Sequence, residues 1–304
     1  MFDTHCHLNF SVFENNLSEV IGQAKKAGVN YFVVPGTDVK TSKKAVEIAE
    51  KYDGIYVAVG IHPHHVCQYR NDSAAQFFHT RVSPRQGRGP LESEKIVTAS
   101  SKQMSSLISL LSHPKVVAIG EVGIDKHEYK KTKYSNYQIG LEFIEYQKLF
   151  LKEQIRLAIK YNKSLIVHNR RATEEVLEIL DEPTVAKALA DKAVFHCCEP
   201  DEELLNFAKE HRIFIGVNGD VTYNRKKQEF VKKIPLELLV LETDSPYLLP
   251  EPLKSQKLFP NEPKNLPIIA EFIAKLINRP ARRSIDVGGL IGVTTENAKR
   301  LFFR

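Results

Sequence analysis

The sequence predicts a single-domain (β/α)8 barrel, and three observations carry that expectation. Eight short apolar runs recur along the chain: Phe2–His7, Tyr31–Pro35, Tyr56–Ile61, Val116–Glu121, Ser164–His168, Ala193–Cys197, Ile213–Val217 and Leu238–Thr243. They are rich in Val, Ile and Phe and lack strict alternation, as parallel strands covered on both faces do. Most of them are followed by a stretch of helical period. The length of 304 residues suits one barrel-sized domain. A doubly wound open sheet is the structural alternative.

Taken in order, the first run leads to a helix over Leu17–Ala27, where Val20, Ile21 and Ala24 share one stripe. Ser42–Lys51 follows the second run, with Ala45, Val46 and Ala49 apolar. After the third comes Arg70–Gln103, which holds Arg81, Arg85 and Arg88, several Ser and Gly residues, and little periodicity. It reads as a flexible insertion near the barrel mouth. Tyr137–Tyr161 is a long helical pattern carrying Leu141, Ile144, Phe150 and Ile155. Thr173–Leu180, Asp201–Glu210 and Arg225–Lys232 continue the alternation. Pro200 before Asp201-Glu202-Glu203 makes a good helix opening. Pro263–Ile277 sets Leu266, Ile269, Ala270, Ile273 and Ile277 on one face. Residues 1–304 therefore read as one domain, interrupted at 70–103.

Hydrophobic residues make up 42% and charged residues 26%, which is ordinary for a globular chain. The net charge of +6 is compatible with a polyanionic partner without arguing for one. More pointed is the tract Lys126–Lys133, with Lys126, Lys130, Lys131 and Lys133 directly after a candidate site. Cys6, Cys67, Cys197 and Cys198 show no metal or redox spacing, and the adjacent pair 197–198 is poorly placed for a disulfide. They read as reduced thiols of a cytoplasmic protein. Met1 leads straight into Phe2-Asp3-Thr4-His5, with no signal-peptide pattern and no membrane-spanning run, so no membrane partner is expected.

Chemistry gathers at the strand ends, which converge on the mouth of such a barrel. The first run ends in His5 and His7, two imidazoles at i and i+2 that face one side of a strand. The third ends in Ile61-His62-Pro63-His64-His65 and the fourth in Gly120-Glu121-Val122-Gly123-Ile124-Asp125. The fifth ends in His168-Asn169-Arg170, the sixth in His196, and the eighth in Glu242-Thr243-Asp244. Any one of these has a plain structural explanation, such as a rim salt bridge or a helix cap. Together they would make a poor core, because desolvating so many ionisable groups without a cation costs several kcal/mol per charge. A pair of divalent cations offsets that cost. The mixed His/carboxylate set suits Zn²⁺, Mn²⁺ or Fe²⁺ and tolerates Mg²⁺.

In sequence the chain resembles the TatD-type metal-dependent deoxyribonucleases of the amidohydrolase superfamily. The matching pieces run in order from end to end: Phe2–Leu8, Gly60–His64, Gly120–Asp125, Val167–Arg170, Phe195–Cys197, Glu242–Tyr247 and Thr294–Phe302. The resemblance implies a TIM barrel with two divalent ions at its C-terminal mouth, Mg²⁺, Mn²⁺ or Zn²⁺. It implies that His5, His7, Glu121 and Asp244 hold one ion, and that Glu121, His168 and His196 hold the second, with Glu121 bridging. It further implies hydrolysis of phosphodiesters in DNA, often from the 3′ end of single strands, with RNA or aminoacyl-tRNA as other substrates in the family. Three departures stand out. Asn9 replaces a common Asp, Cys198 replaces a usual aromatic residue, and the insertion after His62–His65 is longer than expected.

The expected mechanism is in-line attack by a water activated on two ions, with Asp244 orienting it and taking its proton. Glu121 and Asp244 are thus the expected catalytic residues. Arg170 is expected to stabilise the pentavalent charge, His62 to contact a phosphate oxygen or protonate the leaving oxygen, and Tyr247 to stack a base. Two rival readings share the motifs. One is a deacylase or amidohydrolase acting on an ester or amide such as aminoacyl-tRNA. The other is a nucleic-acid-binding protein without catalysis.

Overall fold

A computed structural model of the chain describes residues 1–69, 102–129, 140–278 and 285–303. Its sheet has eight parallel strands in the order of the chain. They are β1 Phe2–Asp3, β2 Tyr31–Pro35, β3 Ile55–Val59, β4 Val116–Asp125, β5 Ser164–Arg170, β6 Ala193–His196, β7 Phe214–Val217 and β8 Leu239–Leu241. The last strand meets the first: the Thr4 amide donates to the Leu241 carbonyl at 3.1 Å, and Cys6 bridges Ser245 in parallel. Strand order and closure rule out the doubly wound alternative, whose order reverses at a switch point.

The regular part of β1 is shorter than the sequence suggests. It ends at Asp3, so His5 and His7 lie on the extension that pairs with residues after β8. Conversely β4 runs on to Asp125.

Helices α1 Leu17–Lys26, α2 Val39–Lys51, α3 Lys102–Leu110, α4 Leu141–Lys160, α5 Thr173–Leu180, α6 Pro183–Leu189, α7 Glu202–His211, α8 Arg225–Val231, α9 Leu266–Ile277 and α10 Val287–Phe302 wrap the barrel. Asp38 opens α2 with a reciprocal capping box to Thr41, and Asp201 caps α7 as its acidic opening foretells. Helix α6 and the helical form of α10 went unread in the sequence. The expected insertion at 70–103 lies outside the described residues up to residue 101, and its last two residues begin α3.

One residue from each strand fills the barrel interior: Phe2, Val33, Ala58, Ala118, Ile166, Val194, Phe214 and Val240. Ala298, Leu301 and Phe302 of α10 close that layer from below. Two residues further along a strand a side chain points the same way. The next inward layer therefore contains His168, His196 and Glu242, together with Gly60, Gly120 and Gly216. A Cβ at Gly216 would stand 2.5 Å from Glu242 Oε2, so the glycine makes room for a buried carboxylate.

Glu121 follows the inward Gly120 and should face outward by simple alternation. The β4–β5 register shows why it does not. Ile119 pairs with Leu165 but Val122 with Val167, so β4 carries one extra residue there. Such a bulge re-aims a side chain next to a site. Two residues on, Gly123 has φ 155°, and a Cβ there would lie 1.8 Å from the His168 carbonyl oxygen. Gly123→Ala is expected to destabilise the fold by more than ~3 kcal/mol, measured as a lowered urea midpoint.

Candidate metal centre

Four donor atoms surround one point at the mouth. His5 Nε2 lies 3.2 Å from His7 Nε2, 3.5 Å from Glu121 Oε2 and 3.8 Å from Asp244 Oδ1. His7 Nε2 lies 3.7 Å from Glu121 Oε2 and 3.6 Å from Asp244 Oδ1. Ligands about 2.0–2.2 Å from a tetrahedral ion stand roughly 3.3–3.6 Å apart. The residues fit a single divalent cation at their centre. Burial pushes both imidazoles toward the neutral form, which is the form that ligates, and the neighbouring histidines push the same way.

The other oxygen of Glu121 faces a second donor set. Oε1 lies 2.6 Å from His168 Nδ1, 3.0 Å from His196 Nε2 and 3.5 Å from His62 Nε2. Three sets of three donors lie within 4.8 Å of one another among the described residues: His5–His7–Asp244, His5–Glu121–His196 and His62–Glu121–His168. Glu121 stands in two of them, as a bridging carboxylate should. All six expected ligands thus meet at one end of the barrel.

Electrostatics follow from burial and crowding. Burial alone would raise the Glu121 carboxyl, but His196, His62 and the hydrogen bond to His168 hold it well below the usual range. Burial pushes Asp244 up to about 8; His196 opposes this, while Glu121 and Glu242 add to it. Burial disfavours charge on His168, yet Asp125 and Glu121 hold it up at about 9.

Residues without an assigned role in the sequence reading set the ligand geometry. Asp125 Oδ2 accepts from His168 Nε2 at 3.0 Å and from the Tyr129 hydroxyl at 3.0 Å, and lies 3.1 Å from His64 Nε2. Its Oδ1 accepts the His127 amide at 2.7 Å. Glu242 Oε1 accepts the Cys197 amide at 2.5 Å and lies 3.6 Å from His196 Nδ1. His168 thus has a carboxylate hydrogen-bonded behind it, the arrangement that fixes a tautomer around a metal, and Glu242 stands near the far nitrogen of His196. Asp3 accepts the amides of His5 and Thr243 and the Thr243 hydroxyl, tying the first ligand pair to the Asp244 loop. Only their strand-end positions signalled Asp125 and Glu242 in the sequence.

The expected substrate contacts occupy the rim. Arg170 Nη1 donates to the Tyr129 hydroxyl at 2.7 Å, and its guanidinium lies 5.2 Å over that ring. Tyr247 is 50% exposed, edge-on to Phe10, whose ring stacks on His7 at 4.4 Å. His62 is largely buried beside His168. Lys126 departs from expectation: its ammonium is already paired with Glu175 at 2.6 Å. Lys130, Lys131 and Lys133 lie outside the described residues. Cys6, Cys197 and Cys198 are free thiols, and no described helix is long and apolar enough to cross a membrane.

Comparison with known proteins gives the family. A family model described as TatD related DNase matches residues 2–303. The chain is 33% identical over 304 residues to YabD of Bacillus subtilis (strain 168), named an uncharacterized metal-dependent hydrolase, covering 99% of this chain and 98% of that protein. It is 30% identical over 306 residues to the 3'-5' ssDNA/RNA exonuclease TatD of Escherichia coli (strain K12), covering 99% and 98%. The crystal structure of YJJV, a TatD homolog from Escherichia coli K12, matches with a TM-score of 0.74 at 24% identity, covering 99% of this chain and 97% of that one.

Proposed function

The chain belongs to the TatD-related DNase family and is a metal-dependent hydrolase, and from that premise we propose that it cleaves DNA phosphodiesters with two divalent ions, from the 3′ end of single strands. The observation that carries this reading is the close approach of His5, His7, Glu121 and Asp244, abutting a second donor set on the same carboxylate. When bound, the ions lower the pKa of a water and offset the charge that develops on the phosphoryl oxygens.

The chain's own groups do the rest. His5, His7, Asp244 and Glu121 would hold one ion, and Glu121, His168 and His196 would hold the other. The spacing of the first set favours Zn²⁺, and the mixed donors also accept Mn²⁺ or Mg²⁺. Asp244 orients the attacking water and accepts its proton. Arg170, placed by the Tyr129 hydroxyl and ring, stabilises charge on the phosphate. Tyr247 offers a half-exposed face on which a terminal base stacks. The free thiols Cys6, Cys197 and Cys198 support a cytoplasmic location.

The test is a substrate panel of end-labelled single-stranded DNA, RNA and aminoacyl-tRNA, run with Mg²⁺, Mn²⁺ and Zn²⁺ in turn. Stepwise shortening of DNA from the 3′ end is the expected result. Release of the amino acid with intact oligonucleotides would assign the ester-cleaving alternative instead. Arg170→Ala is expected to lower kcat/KM on DNA by about 10²-fold, the cost of one stabilising donor, with ion content unchanged by elemental analysis.

A further inference from the structure

We propose that Phe10 is a positioning residue for the substrate. It fixes the ring of Tyr247 relative to the ligand His7, so that an unpaired terminal base stacks at a set offset from the bond that breaks. This rests on the phosphodiester reading of the site and deepens it.

Phe10 stands between a ligand and the base platform. Its ring stacks on His7 with centroids 4.4 Å apart and planes 15° apart. Toward Tyr247 it is near-perpendicular, at 74° and 6.3 Å. Aromatic rings favour both arrangements, stacked and edge-to-face. The three rings therefore form a continuous series from the first donor set to the rim.

The main chain of that series is fixed. The Phe10 amide donates to the His7 carbonyl at 3.1 Å, and the His7 amide to the Ser245 carbonyl at 2.7 Å. The Tyr247 amide donates to the Asp244 carbonyl at 2.9 Å, and its carbonyl accepts from Asn261 Nδ2 at 2.7 Å. Both loops are thus tied to the segments that carry His7 and Asp244. The remaining variable is the side-chain torsion of Tyr247, whose ring is half exposed. An exposed side chain loses rotamer freedom when a ligand settles on it, and a support already in place reduces that loss. Phe10, half-buried and stacked on His7, is such a support.

The barrel sets a cationic side against this aromatic one. β8 and β1 adjoin, and in a closed ring of eight they lie opposite β4 and β5. Phe10 and Tyr247 follow β1 and β8, whereas Arg170 ends β5 and Tyr129 follows β4. Val12, Leu258 and Phe259 are exposed on the β1 and β8 loops and extend their apolar character. A nucleotide spanning the mouth would lay its base on the aromatic side and direct its backbone toward the guanidinium. An unpaired terminal base enters such a platform at little cost, whereas a paired one must first leave its partner.

The experiment follows release of the 3′-terminal nucleotide from single-stranded DNA ending in either thymidine or its abasic tetrahydrofuran analogue. Wild type, Phe10→Ala and Phe10→Tyr are compared, with ion affinity read by calorimetry. Wild type is expected to favour the base-bearing end about 30-fold in kcat/KM. Phe10→Ala should narrow that ratio to about 3-fold, the loss of one aromatic pair, chiefly through KM. Phe10→Tyr keeps the ring and should restore the ratio. Phe10→Leu keeps the bulk without the ring and reads the same ratio should the alanine variant not fold. Equal losses on both ends with weaker ion affinity would reduce Phe10 to packing for His7 and overturn the proposal. A wild type that cleaves both ends alike would overturn it equally. A wild type that shortens neither strand would instead fell the nuclease reading beneath it.

Discussion

Glu121→Gln is expected to abolish cleavage and empty the centre of metal. The substitution keeps the volume of the side chain and removes its charge. Both donor sets use this one carboxylate, Oε2 toward His5 and His7 and Oε1 toward His168 and His196. Without it, each set is left short of an anionic oxygen, and neighbouring cations would lose the charge that offsets their repulsion. Losing even ~4 kcal/mol of charge stabilisation lowers kcat about 10³-fold, so a loss at least that large is expected. Elemental analysis of dialysed protein should fall from two ions per chain to at most one. A cation at 100 times its Kd stabilises the wild type by about 2.7 kcal/mol, so added metal should raise the wild-type Tm and leave that of Glu121→Gln almost unmoved. Unchanged ion content together with an unchanged rate would refute the bridging role.

The second large effect is expected at a residue that never touches an ion. Asp125→Asn should weaken metal binding on the His168 side about 10–100-fold, the usual consequence of removing the carboxylate behind a ligating histidine. Asp125 collects donors from His168, His64, Tyr129 and the His127 amide. An amide in its place accepts on one atom only and presents N–H groups to donors on the other. The variant has a signature that simple loosening of the fold lacks. In the metal-free wild type, His168 is held up at about 9, so at pH 7 it carries a proton that an entering cation must displace. A group with a raised pKa binds its proton below that value, so cation affinity rises with pH toward about 9 and binding at pH 7 releases protons. Asp125→Asn removes the carboxylate hydrogen bond that does most to hold His168 protonated, so fewer protons should be released. Calorimetry in two buffers of different ionisation enthalpy reads the difference directly. Equal proton release and equal affinity in both proteins would show that Asp125 only packs.

Much of this architecture is legible in the linear chain. Eight apolar runs and the helical periods between them call for a parallel sheet covered on both faces, and the meeting of the last strand with the first selects the closed barrel over the open sheet. The ligands are legible for the same reason. His168 and His196 stand two residues beyond Ile166 and Val194, so the period of a strand carries the inward face from the core into the mouth. The extent of β1, the path of α6 and the pairing of Lys126 with Glu175 are not written in any local period.

What the chain's order settles is a series of buried parallel runs with histidines and carboxylates at their ends; the family resemblance, not alternation alone, singles out the six expected donors. The folded state alone decides how those donors act. The extra residue in β4 turns Glu121 inward only when read against β5. Asp125 and Glu242 become supports for His168 and His196 only when separate strands close into a ring. The His64 amide reaches His62 Nδ1 only through the local turn that the packed loop adopts. Register, tautomer and charge depend on partners brought together by closure, and spacing along one strand carries no record of them.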